Sequence, residues 1–100
     1  MFWPAMPTEP AHRATALICN TKGLHARASA KFVTLAAKFD AEIVVTRDDM
    51  TVNGISIMGL LTLGAGPGSE IEIVAKGTAA AAALAALLDL IARGFDEEKT

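Results

Sequence analysis

The chain has 100 residues, one domain's worth of polypeptide and too short for a two-domain enzyme with its own substrate cleft. Its hydrophobic fraction of 52% is largely methyl groups, with 20 Ala against 5 aromatic residues, so the core is close-packed and modest in volume. A net charge of −2 with no block of like charge argues against nucleic acid as a partner. One Cys and two His offer neither an internal disulfide nor a ready zinc site, a usage that fits a reducing cytoplasm.

Residues 1–12 carry Pro4, Pro7 and Pro10 and lack the basic start and apolar run of a signal peptide, so they read as a flexible N-terminal extension. His12 falls in this lead-in and carries no assigned role. A first strand is expected over 13–19 (RATALIC), ended by the turn-forming Asn20, Thr21, Lys22 and Gly23. Cys19, at its end, reads as a packing residue. A first helix follows within 24–39, starting near His25 or Ala26. Phe32, Val33, Leu35, Ala36 and Phe39 fall on one stripe, with Lys31, Thr34 and Lys38 opposite. Segments 41–46 and 50–52, joined through Arg47, Asp48 and Asp49, read as a hairpin with Ile43 and Val45 on one face.

Ser56 stands where an N-cap precedes a short helix over 57–61. The run GAGPGSE lacks the Lys-Ser/Thr ending of a phosphate loop and precedes a strand, so it is a turn. Strict alternation over 69–76 puts Ile71, Ile73 and Ala75 inward and Glu70, Glu72 and Lys76 outward. A last helix, capped by Gly77 and Thr78 and ended by Gly94, turns Ala80, Leu84, Leu87, Leu88 and Ile91 to one side, and Asp89 and Arg93 can pair. The apolar stretch 79–88 is well short of the roughly 20 residues a bilayer crossing needs, so no membrane insertion is expected.

The order β-α-β-β-α-β-α predicts an α+β open-faced sandwich, a four-stranded antiparallel sheet with three helices on one face. Residues 13–95 form the domain and 96–100 a charged C-terminal tail.

The chemistry-bearing residues stand at the start of the first helix. His25 follows a Gly-ended loop where a helix offers unpaired N–H groups and a partial positive charge, a setting that receives anions. Arg27 adds a permanent guanidinium fork suited to phosphate oxygens. Together they describe a phosphoryl acceptor, in which a neutral ring nitrogen attacks phosphorus and the amides and Arg27 hold the arriving charge. Read on its own, a lone His at a helix start is more often a surface or capping residue.

The run GLHARASAKFV, with SIMGLLTLG over 56–64, resembles the histidine phosphocarrier (HPr) family of the bacterial phosphoenolpyruvate-dependent phosphotransferase system, over roughly 13–95. That resemblance implies a stoichiometric cytoplasmic carrier, not an enzyme, without a cofactor or metal. It implies that His25 takes a phosphoryl group on Nδ1 from phospho-enzyme I and passes it to an enzyme IIA-type acceptor, with Arg27 as the active-site arginine. It further implies that Ser56 is the serine modified by an HPr kinase/phosphorylase, and that Ile57, Met58 and Leu61, joined by Ala30 and Lys22, form the docking patch of a monomer. The alternative from the same resemblance is a regulatory module of the nitrogen-related branch, controlled by phosphorylation of His25 and Ser56. Ala28 stands where many members have Pro, which leaves the first helical turn less rigid without removing a chemical group. A hydrolase using His25 as general base is disfavoured, since no nucleophile and no orienting carboxylate lie near it in sequence.

Overall fold

The computed structural model describes residues 11–97, so the flexible segment expected before the first strand lies, through residue 10, outside the described residues. The elements are β1 (His12–Leu17), α1 (Ala26–Ala36), β2 (Glu42–Arg47), β3 (Met50–Asn53), α2 (Ile57–Thr62), β4 (Glu70–Lys76) and α3 (Ala80–Ala92), closed by a short 3-10 turn over Gly94–Asp96. The strands form one antiparallel sheet in the order β1-β4-β2-β3. Alternation sets which side is buried. Ile71, Ile73 and Ala75 of β4 and Ile43 and Val45 of β2 lie under the helices, and Arg13 faces Glu72 at 3.6 Å on the other side.

The hairpin closes through Asp48 and Asp49, with Asp48 at φ 55°, a left-handed value that Asp tolerates. Arg47 then donates to the Leu63 carbonyl at 3.0 Å, satisfying one of the free acceptors at the end of α2. β1 begins one residue earlier than the sequence suggests, with His12 opposite Ala75, and its ladder ends at Leu17. Cys19 consequently lies past the strand and is exposed, its Sγ 3.3 Å from the Ile91 carbonyl, instead of packing in the core.

α1 ends at Ala36 and not at Phe39, because its last turn tightens into Lys38–Leu35 and Phe39–Ala36 bonds that bring the chain round to β2. Gly77 and Thr78 do not cap α3. Its N-cap is Ala79, with no side-chain bond, and the Ala79 amide reaches the Asp40 carbonyl at 2.9 Å. The fully buried face of α3 is Ala80, Ala83, Leu87, Leu90 and Ile91, with Leu84 and Leu88 half-buried at its margin. A helix rich in Ala on every side leaves its rotation to the sheet beneath it. Phe32 from α1, Leu60 from α2, Leu87 from α3 and Phe95 beyond it meet over the sheet with no exposed surface. Among the described residues no helix is long and apolar enough to cross a membrane.

Candidate functional site

The loop from β1 to α1 is built around Asn20 and Gly23. The Gly23 amide turns back to the Asn20 carbonyl at 3.2 Å, and the Asn20 side-chain amide donates to the Gly23 carbonyl at 2.8 Å. Gly23 takes φ +64°, and a Cβ there would lie 2.4 Å from the Ala65 oxygen, so only glycine lets the loop rest on Ala65 and Gly66. The Leu24 amide then bonds to that same Ala65 oxygen at 2.9 Å, and the chain enters α1.

His25 is the N-cap of α1. Its backbone is extended and its carbonyl accepts the Ser29 amide at 2.8 Å, but its side chain makes no capping bond. The imidazole is therefore not consumed by the helix. The amides of Ala26, Arg27 and Ala28 are those an α-helix leaves without intrahelical acceptors, and with the helix dipole they favour negative charge at this end. Arg27 is exposed in the first turn and makes no ion pair among the described residues. His25 and Arg27 share a cleft of about 370 Å³ with Thr21, Lys22, Lys31, Asp96 and Glu97.

Glu97 brings the feature that sequence reasoning missed. Its Oε2 hydrogen-bonds His25 Nε2 and its Oε1 accepts the Asn20 side-chain amide at 3.1 Å. The imidazole side chain keeps 28% of its surface exposed and the carboxylate 16%. Hydrogen bonding from the His25 ring is the largest influence holding the Glu97 carboxyl below its ordinary range. Burial opposes it, and the Asn20 amide and the Lys22 charge reinforce it.

The segment that delivers Glu97 is unusual in its backbone. Gly94, Phe95 and Asp96 follow one another at φ 66°, 58° and 60°, a left-handed turn in which the two non-glycine residues each cost on the order of 1–2 kcal/mol. Phe95 is fully buried, Lys31 Nζ donates to its carbonyl at 2.7 Å, and Asp96 pairs with Arg93 at 2.8 Å. Asp96 and Glu97 are thus held against the domain, which sequence reasoning assigned to a tail. A lone aromatic among charged residues was the available signal for an anchored segment; that the anchor leads to His25 was not readable 72 positions away.

Over residues 12–93 the chain matches the model of the PTS HPr component phosphorylation site. The chain belongs to the HPr family. An HPr from Neisseria meningitidis serogroup A is 50% identical over 80 residues, 80% of this chain and 90% of that protein. A phosphocarrier NPr from Shewanella violacea is 45% identical over 80 residues, 80% of this chain and 88% of its own. The crystal structure of HPr-C-His from Thermoanaerobacter tengcongensis superposes with a TM-score of 0.84 at 42% identity, covering 88% of this chain and 99% of that one. The chain is accordingly a phosphocarrier of the phosphotransferase system, a carrier and not a catalyst.

In this HPr-family chain Ser56 sits as the N-cap of α2, its Oγ accepting the Gly59 amide at 2.9 Å. The apolar positions around α2 divide. Met58 is 73% and Ile57 39% exposed, whereas Leu61 and Ala30 are half-buried. Ile55, at 54%, and Met50, at 46%, are also exposed and were not singled out from sequence. Lys22 is exposed in the loop beside His25.

Proposed function

We propose that His25 accepts a phosphoryl group from phospho-enzyme I and hands it to an enzyme IIA-type acceptor, in the cytoplasm and as a monomer. The observation that carries this reading is the imidazole at the N-cap of α1, free of any capping duty and sharing a cleft with Arg27, whose guanidinium makes no ion pair among the described residues. A lone pair on the ring attacks phosphorus while the bond from phosphorus to the donor breaks and its electron pair stays with the donor. The first-turn amides and Arg27 then face the charge that has arrived. Return of the group to an acceptor reverses the same step. The surface of Ile55, Ile57, Met58 and Leu61, with Ala30 at its margin, supplies the few apolar contacts that a transient partner needs.

A regulatory reading is favoured by Ser56. Its hydroxyl stands at a helix start immediately beside the exposed Ile57 and Met58, so phosphorylation by an HPr kinase/phosphorylase would set about −2 of charge into the docking surface. The same site would serve a regulatory module of the nitrogen-related branch, with partner binding set by His25 and Ser56 together.

The test is intact-mass spectrometry after incubation with enzyme I and phosphoenolpyruvate. An acid-labile addition of one phosphoryl group, absent from His25→Ala, is expected. Acid-labile phosphorylation that survives His25→Ala overturns the assignment. Unchanged partner affinities in phosphorylated Ser56 protein and in Ser56→Ala overturn the regulatory reading.

A further inference from the structure

We infer that Glu97 is a positioning residue that selects the reactive nitrogen of His25, by holding the proton of the neutral imidazole on Nε2 and leaving the lone pair on Nδ1. The inference rests on His25 being the phosphoryl acceptor and names the group that prepares it.

A neutral imidazole carries one N–H and one lone pair, and which nitrogen has which is set by the partner of either one. Glu97 Oε2 faces Nε2. An ionised carboxylate accepts and cannot donate, so this contact is a hydrogen bond only when Nε2 carries the hydrogen. The second oxygen of Glu97 is occupied by the Asn20 amide, also a donor, which keeps the carboxylate in the acceptor-only form and fixes its plane. Nδ1 remains, and the side chain gives it no capping duty at the start of α1.

The arrangement balances the transfer without a proton leaving. The Nδ1 lone pair forms the N–P bond, the donor's bond to phosphorus breaks with its pair going to the donor, and the Nε2 hydrogen stays where it was. The phosphorylated ring then carries positive charge, and Glu97 already stands at the N–H that bears it. The backbone supports a dedicated role. Three successive left-handed residues carry the chain to Glu97, and they are held down by the buried Phe95 side chain and by Lys31 on the Phe95 carbonyl. A mere tail would not need to be held in a sparsely populated backbone conformation.

The test reads the tautomer directly, by long-range proton–nitrogen NMR correlation of the His25 ring in the full chain. It is paired with the rate of phosphorylation by phosphoramidate, a donor that releases ammonia and needs no docking surface. The wild-type neutral ring is expected as Nε2–H. In Glu97→Gln the amide can donate to Nε2, so the spectrum shifts toward Nδ1–H and the phosphorylation rate falls by about 10-fold or more. Glu97→Asp recovers part of both, and Glu97→Ala gives mixed tautomers. A tautomer unchanged in Glu97→Gln and Glu97→Ala overturns the inference, as does a shifted tautomer with an unchanged rate. A faster rate in Glu97→Ala also overturns it, since Glu97 would then be a block. Wild-type protein that takes no phosphoryl group from phosphoramidate or from enzyme I refutes the acceptor reading instead, and the ring spectra still decide whether Glu97 holds the tautomer.

Discussion

Phe95 is where the fold and the site are joined, and its replacement tests both. The ring is fully buried against the core, so Phe95→Ala removes its contacts and leaves a cavity, at a cost of about 3–5 kcal/mol. The positive φ of 58° is not relieved, because alanine keeps the Cβ that makes the left-handed region costly. Phe95→Gly loses the same ring but is at ease there. The usual order is therefore inverted, with the glycine variant more stable than the alanine variant by about 1 kcal/mol. Equilibrium urea unfolding measures this. With a loss of about 4 kcal/mol and a slope of about 2 kcal/mol per molar, the midpoint of Phe95→Ala falls by about 2 M, and that of Phe95→Gly by about 0.5 M less. Glu97→Gln is expected to lower stability in the wild type and to have no further effect in either background, a coupling that a double-mutant cycle reads. A loss below about 1 kcal/mol in Phe95→Ala, or a glycine variant less stable than the alanine one, would refute the account of this turn.

Three further outcomes follow from particular contacts. The Glu97 carboxyl is held below the ordinary value of about 4.3, so its contribution to stability is fully present above that value and is lost as pH falls through the folded-state value; the stability difference between wild type and Glu97→Gln, followed by urea unfolding from pH 7 downward, should vanish at the acid end, where the carboxylate is protonated, and a difference that persists there contradicts this sign. Ser56→Ala removes the cap on Gly59 and should cost about 1 kcal/mol, while Ser56→Asp retains most of it; equal stabilities for the two variants would deny the capping role. Met58→Lys changes a largely exposed side chain, so stability should stay within about 0.5 kcal/mol while phosphorylation by enzyme I slows and that by phosphoramidate does not; equal slowing with both donors would remove Met58 from the docking surface.

What the sequence by itself determined lies within short windows of chain. Alternation over β4 named Ile71, Ile73 and Ala75 as buried, capping chemistry placed Ser56 at the start of α2, and a Gly-led loop placed His25 and Arg27 at the start of α1, because each signal is carried by residues a few positions apart whose spacing is the local geometry. Element ends and helix rotation were less legible. α1 is tightened at its last turn, and α3, apolar almost all round, takes its orientation from the sheet. The surroundings of His25 were decided by the tertiary structure alone. Glu97 reaches the imidazole across 72 positions, Asn20 reaches Glu97 across 77, and Lys31 reaches the Phe95 carbonyl across 64. Those meetings exist because β1 and α3 bring the two ends of the domain together and the burial of Phe95 forces the chain beyond Gly94 into a left-handed turn. No periodicity encodes such a contact; it follows from which surfaces must be buried at once.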